Sequence, residues 1–376
     1  MPDAPPPLDA EESARSLLVV ERLHEVARDD GFLPFDRFME IALYAEGLGF
    51  YDRPRSPLGR EGEFYTAAHV SPIFARSIAE RIRVVRRAIA GSSAFRIVEL
   101  GPGDGTLAEG LVASLRDDPP GLEYVLVDRA SARLREAEER LRPLRGRVAV
   151  HRSDSLGALG PIRGVVLANE FLDAQPARRL HWHDGAWHEL GVRVAAGRVE
   201  PAEKPFVRPI PGTPLPAPES TDLVVEVSPA AEATVREVAD HLAEGLAIVL
   251  DFGAEERELW MGHPGGTLAA VRAHRFVSDP LAAPGTSDLS TFVNFSRVRA
   301  AAKASGLAEL GYRSQAEALG AWGFPALLDS AIRAANSAEA KVRLQLAAKN
   351  LLFGFDRFRA LELAPPASAE RLARVT

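Results

Sequence analysis

From residue 95 onwards short apolar runs alternate with amphipathic stretches. Phe95–Leu100, Tyr124–Val127, Val148–His151 and Val165–Ala168 read as strands, and the segments between the first three are long enough for the helices that parallel crossovers require. A fifth strand, Leu246–Leu250, ends at Asp251-Phe252-Gly253. Runs this continuously apolar predict strands buried on both faces, hence an α/β fold with a doubly wound, mostly parallel sheet. Before residue 94 the period is helical. Val19, Leu23 and Val26 form one stripe flanked by Leu17 and Val20, and Phe35–Leu43 forms another. Ser71-Pro72 reads as an N-cap with proline at the first helical position. The helix it opens runs towards Ala90, with arginines expected on its solvent face.

The gap between the fourth and fifth strands is far longer than a crossover needs. Within it, Arg179–Leu190 reads as a hairpin turning at Asp184-Gly185. A Pro-rich loop spans Pro205–Pro218, Leu223–Val227 reads as a strand, and Ser228-Pro229 opens a helix running to about Glu244. The expected organisation is a disordered tail at 1–11 and an N-terminal helical region at 12–93. A core made of 94–175 and 220–376 follows, with an inserted hairpin and Pro-rich loop at 176–219. Residues after 254 mix loops, helices and the strands expected to close the sheet.

Composition narrows the function classes. A chain of 376 residues, 46% hydrophobic and 26% charged, has ample core for a globular enzyme. The net charge of −7 supplies no global basic field, so nucleic acid is not an expected partner. The absence of cysteine excludes disulfides, thiolate metal sites and cysteine nucleophiles. No apolar run approaches a membrane span, so no membrane insertion is expected. Met1–Glu12 is Pro-rich and acidic, unlike a secretory or transit peptide, and the expected location is cytoplasmic.

The candidate chemistry sits at strand ends. Phe95–Leu100 runs into Gly101-Pro102-Gly103-Asp104-Gly105, and the next strand ends on Asp128. Such a turn lets a ligand approach the backbone, and an acid at the second strand tip accepts ribose hydroxyls. The spacing is G-x-G-x-G rather than G-x-G-x-x-G, and Glu99 precedes the turn. A carboxylate there repels a pyrophosphate and attracts a cationic ligand. Asp154, after the third strand, is expected beside an adenine. Asn169, Glu170 and Asp173 close the fourth strand and fall beyond its carboxyl end, where open α/β sheets hold ligands. Helix capping is the alternative use of Asn169 and Asp173. His181 and His183 share a strand face near His188, but no acid is clearly aimed with them, so no metal site is assigned.

These segments resemble the MidA-like family of S-adenosylmethionine (SAM) dependent methyltransferases, which includes a mitochondrial complex I assembly factor that methylates a protein arginine. Leu58–Thr66 is similar to the family's I-G-R-x-G-D-F-Y-T, Glu99–Thr106 to its E-L-G-P-G-x-G-T, and Ala168–Pro176 to its A-N-E-F-F-D-A-L-P. Asp251-Phe252-Gly253 stands at its D-Y-G, and Gly266-Thr267-Leu268, His274, Asp279-Pro280-Leu281 and Asp288-Leu289 follow its later pattern. The resemblance implies a Rossmann-like methyltransferase core with SAM held by Glu99, Gly101, Gly103, Gly105, Asp128, Asp154, Asn169 and Thr66. It implies an acceptor site around Glu170, with Asp173, Asp251 and Asp288 in support and His274 as proton acceptor. The implied acceptor is a protein arginine, a respiratory-complex subunit among the candidates. The alternatives are a small-molecule acceptor, a non-catalytic SAM-binding assembly factor and a nucleotide-dependent oxidoreductase. The chain departs from the family where His69 replaces an acid, Val271 a tyrosine, Phe292 a histidine and Asn294 an aspartate. If the last two positions hold the acceptor, specificity or catalysis is altered.

Overall fold

The computed structural model describes the chain except residues 1–4, 28–29, 54–65, 90–93, 119, 145–147, 196, 208, 211–214, 216, 219–221 and 376. The motif segment 58–65 therefore lies outside the described residues. The first helix, α1 (Ala10–Val26), begins inside the stretch expected to be disordered. Its start is set by a reciprocal cap in which Asp9 accepts from the Glu12 amide and Glu12 accepts from the Asp9 amide. β1 (Phe32–Pro34) then interrupts the region read as helical, before α2 (Phe35–Tyr44), α3 (Ala67–Val70) and α4 (Pro72–Ala88). Ser71 caps α4 as its sequence predicts, its side chain accepting from the Ile73 amide at 3.2 Å.

The core then alternates β2 (Phe95–Leu100), α5 (Thr106–Leu115), β3 (Leu122–Val127), α6 (Ser131–Leu141), β4 (Ala149–Ser153) and β5 (Ile162–Asn169). The insertion supplies β6 (Arg178–His183), β7 (Ala186–Ala195), β8 (Arg198–Pro205) and β9 (Leu223–Val227). α7 (Pro229–His241) returns the chain to β10 (Leu242–Ala254). The rest comprises α8 (Glu256–Gly262), β11 (Ala269–Arg272), β12 (Arg275–Phe276), β13 (Asp288–Ser290), β14 (Val293–Asn294), α9 (Phe295–Ala304) and β15 (Ala308–Ser314). Three helices follow, α10 (Gln315–Ala321), α11 (Phe324–Ala334) and α12 (Ala338–Lys349), and then β16 (Phe358–Ala364) and α13 (Pro366–Leu372).

The central sheet runs β15-β16-β10-β5-β2-β3-β4. β4, β3, β2, β5 and β10 are mutually parallel, whereas β16 pairs antiparallel with both β10 and β15. This is the doubly wound architecture expected from the apolar runs, with the closing strands where the last region was expected to place them. Successive residues serve opposite faces. Ile97, Tyr124 and Leu126 pack under α4, α5 and α6, and Val98, Val125 and Val166 pack under α7 and α9.

The second sheet runs β1-β7-β6-β9, with β8 on the other edge of β7. It exceeds the expected insertion at both ends. Leu223–Val227, grouped by sequence with the core, pairs with β6 (Leu180↔Val225), and β1 joins from the N-terminal region (Leu33↔Val192). The reason is burial: Val19, Leu23, Phe38 and Met39 of α1 and α2 share one core with Val192 and Val194 of β7. The arginines of α4 are not simply solvated either. Arg81 is buried against Glu362 of β16 at 2.6 Å, and Arg83 reaches Asp118 at 2.9 Å.

Candidate active site

The chain leaves β2 in one direction to build β3 and β4 and returns on its other side to build β5. Such a switch point opens a crevice beyond the strand ends. The crevice is lined by Leu100, Gly101, Gly103, Asp128, Asp154, Asn169 and Glu170, with Thr66 and His69 from the N-terminal region. Of the expected cofactor residues, only Gly105 is missing from this wall.

The glycine turn is dictated by its surroundings. Gly101, Gly103 and Gly105 have φ of 63°, 56° and 81°, a region costly for residues with a Cβ. A Cβ on Gly101 would lie 2.5 Å from the Phe171 ring, closing the cleft, whereas one on Gly105 would lie 2.8 Å from the Ala137 Cα of α6. Gly105 thus serves helix packing rather than ligand approach. Asp104, which the sequence reading passed over, is the hub of the turn. Its carboxylate accepts from the Thr106 amide at 3.0 Å, the Thr106 hydroxyl at 2.9 Å and Arg140 at 2.8 Å, and lies 3.2 Å from His69 Nε2. Burial raises this carboxyl, but the His69 hydrogen bond and charge, the Thr106 amide and Arg140 outweigh it and hold it at about 2. His69 also contacts the Thr66 hydroxyl through Nδ1 at 2.8 Å. The residue that departs from the family pattern thus ties α3 to the turn.

Glu99 is buried and accepts from the Tyr124 hydroxyl at 2.7 Å. Burial pushes its carboxyl up to about 7, against the Tyr124 hydrogen bond. Asp128 accepts from the Ala130 amide at 2.8 Å, and burial pushes it up to about 6. Asp154 is exposed at the rim. Its carboxylate accepts from Ser155, which does not cap the turn that follows.

Glu170 follows β5 with φ 51°, a strained value for a side-chain-bearing residue. Asp251 of β10 holds this bend, accepting from the amides of Phe171 at 3.0 Å and Leu172 at 2.7 Å, and also from its neighbour Phe252 at 2.8 Å. The bend turns Glu170 into the cleft, where Oε1 accepts from the Ala67 amide at 3.1 Å. Burial pushes Glu170 up to about 8, with Asp251 and Asp288 adding to the rise. Beside it, the buried Asn169 Oδ1 has no hydrogen-bond partner among the described residues and is an acceptor open to a donor in the cleft.

The remaining catalytic expectations separate. Asp173 is buried behind the wall, and burial and the charges of Asp251, Asp288 and Glu170 raise it well above the usual carboxylate range. Asp288 also stands behind the wall and reaches the cleft through Tyr51, whose hydroxyl donates to it at 2.5 Å. His274 is corrected outright. It is exposed, has φ 60° and lies in the tight turn between β11 and β12, away from the cleft lining. At the hairpin tip its left-handed backbone serves the turn, and the structure does not bring it together with Glu170 in the cleft lining. Phe292 and Asn294 also lie outside the lining. Phe292 packs edge-on to Phe252 at 4.1 Å, and Asn294 caps α9 by accepting from the Arg297 amide at 3.2 Å. The feared loss of acceptor residues therefore does not fall on this pocket. The sequence reading missed Tyr44, Tyr51 and Arg133, which also line the cleft. No spacing marks them, because they come from two separate segments brought over the sheet.

An acid at the second strand tip, a glycine turn, a buried orphan acceptor and acids beside a cationic ligand's path fit SAM. Asp128 would hold the ribose hydroxyls, and Asn169 Oδ1 and Glu99 would face the ammonium end. Fold and site together define a SAM-dependent methyltransferase. Residues 75–313 match the S-adenosyl-L-methionine-dependent methyltransferase family, and the chain belongs to it, in the MidA-like branch. A COG1565 superfamily member from Burkholderia thailandensis, solved with S-adenosyl-homocysteine bound, superposes with a TM-score of 0.85 at 30% identity, covering 96% of this chain and 95% of that one. The mitochondrial protein arginine methyltransferase NDUFAF7 homolog of Drosophila melanogaster is 28% identical over 73% of this chain and 68% of its own. The human NDUFAF7 is 26% identical over 72% of this chain and 66% of its own. The chain thus spans about two thirds of the length of these relatives. Their names place them in mitochondria and lend the cytoplasmic expectation no support. Among the described residues no helix is long and apolar enough to cross a membrane.

Proposed function

We propose that the chain transfers a methyl group to an arginine side chain of a protein substrate. The observation that carries this is Glu170, a half-buried carboxyl pushed up to about 8 that faces the cleft with the buried Asp173, Asp251 and Asp288 close behind it. So many buried acids suit a cationic acceptor. Bound SAM supplies a methyl carbon made electrophilic by its sulfonium. In the free protein Glu170 is held largely protonated at neutral pH. A guanidinium docking beside it draws the carboxyl back to its ionised form, which orients the nitrogen and accepts the proton that nitrogen loses. Asp251 fixes the bend through the amides of Phe171 and Leu172, and the Tyr44 and Tyr51 rings contribute to the cleft wall. The names of the NDUFAF7 relatives support the same acceptor. The test is transfer of a labelled methyl group from SAM to proteins of a cell extract, followed by hydrolysis and amino-acid analysis. Labelled methylarginine, lost with Glu170→Gln, is the expected result. Label confined to small molecules, or no transfer despite SAM binding, overturns the reading.

A further inference from the structure

Outside the cleft, one face of the second sheet gathers three imidazoles and an acid. Alternation sets His181 and His183 on the same side of β6, and the register places His188 of β7 opposite His181. Glu203 reaches this side from β8, on the far edge of β7. It is the acid that sequence reading did not find, because it arrives from a third strand. Glu203 Oε1 lies 2.5 Å from His183 Nε2, 3.6 Å from His181 Nδ1 and 3.8 Å from His188 Nδ1. The His183 and His188 rings stack with centroids 4.0 Å apart.

The outer nitrogens are also arranged. His183 Nδ1 lies 3.0 Å from Asp184 Oδ2, and His181 Nε2 lies 2.7 Å from Asp222 Oδ1. Metal-binding histidines commonly donate their second ring N–H to a carboxylate in this way, which fixes the tautomer and aims the other nitrogen at the ion. Among the described residues the buried His188 Nδ1 has no hydrogen-bond partner, although it lies 3.8 Å from the same carboxylate.

We propose that His181, His183 and Glu203, whose donor atoms all lie within 4.8 Å of one another, form a binding site for one divalent first-row transition ion, with zinc the best match and His188 packed against the His183 ring. Imidazole nitrogens with one carboxylate suit zinc, copper or nickel, whereas calcium and magnesium require oxygen ligands. Ligands about 2.0–2.2 Å from a tetrahedral ion lie about 3.3–3.6 Å from one another, close to the spacing of the His181, His183 and Glu203 donors, and water completes the coordination. The ion replaces the proton shared between His183 and Glu203 and ties β6 to β8. None of these residues lines the SAM cleft, so the site is separate from methyl transfer.

The test is calorimetry with zinc on the full chain, together with the visible absorption of the cobalt form. The expected result is one ion per chain with micromolar or tighter affinity, and cobalt bands of tetrahedral intensity. His183→Ala and Glu203→Gln should each weaken binding about tenfold or more and alter the bands, while His24→Ala leaves both unchanged. SAM binding is the folding control, and Glu203→Gln decides if the histidine variant fails to fold. Absence of saturable binding, or binding equal in the wild type and the folded variants, overturns the proposal.

Discussion

The Tyr51 hydroxyl donates to Asp288 Oδ1 over 2.5 Å, joining residues 237 positions apart. The backbone of the same segment is held from α6. Arg133 Nε donates to the Tyr51 carbonyl at 3.0 Å and its Nη2 to the Arg53 carbonyl at 2.8 Å. One cleft wall is thus fixed at its backbone by one element and at its side-chain tip by another. Tyr51→Phe keeps the ring and removes the tip contact. It is expected to raise the acceptor KM about tenfold, to leave SAM affinity within about twofold, and to cost roughly 1–2 kcal/mol of stability. Steady-state kinetics and denaturant titration check it. Unchanged kinetics would show that Asp288 positions nothing in the cleft.

Asp128 should dominate the hold on the nucleoside. Burial pushes its carboxyl up to about 6, so its ionised form is lost as pH falls through that value. SAM affinity should rise between pH 5 and about 8, as Asp128 ionises through about 6 and Glu99 through about 7. Asp128→Asn keeps an acceptor for the Ala130 amide but loses the charge. It should bind SAM about ten- to a hundredfold more weakly and flatten the Asp128 part of the profile. Calorimetry across this range reads both effects, and an unaltered slope in the variant would transfer the dependence to another acid.

Glu170 makes the opposite signature in the stability of the free protein. Its carboxyl sits at about 8 in the fold against a usual value of 4.5. The stability it contributes is therefore complete below pH 4.5 and is lost as pH rises towards 8. Glu170→Gln does not titrate. Its Tm relative to wild type should climb by roughly 2–6 °C between pH 5 and pH 8, measured without SAM. A difference independent of pH would mean that Glu170 is already ionised when folded.

Phe292 occupies the family's histidine position but packs between Phe252 and His263, with ring centroids at 4.1 and 4.8 Å. Restoring the family residue should not restore anything catalytic. Phe292→His is expected to leave kcat within about twofold and to lower stability by about 1–3 kcal/mol, through lost aromatic packing and a polar ring in an apolar contact. A large gain in methyl transfer would place this position in the acceptor site after all.

The sheet and its cofactor end were readable from the chain because their causes are local. Buried parallel strands must be continuously apolar, a turn with three left-handed residues needs glycine, and an acid at a strand tip follows directly from where the strand stops. So Glu99, Gly101, Gly103, Asp128, Asn169 and Glu170 could be placed in sequence and are found around one cleft. Motif likeness also marks residues whose work is structural, which is why Gly105 proved to be a packing residue and His274 a turn residue. What the tertiary structure alone decided is which distant segments meet. Tyr51 reaches Asp288, Asp251 anchors the bend at Glu170, and Glu203 crosses from β8 to three histidines on β6 and β7. These contacts depend on strand register and on sheet and helix packing, where one residue of slip moves a side chain to the other face. No periodicity within a segment encodes the register of its neighbour, so these relationships emerge only once the apolar faces have packed.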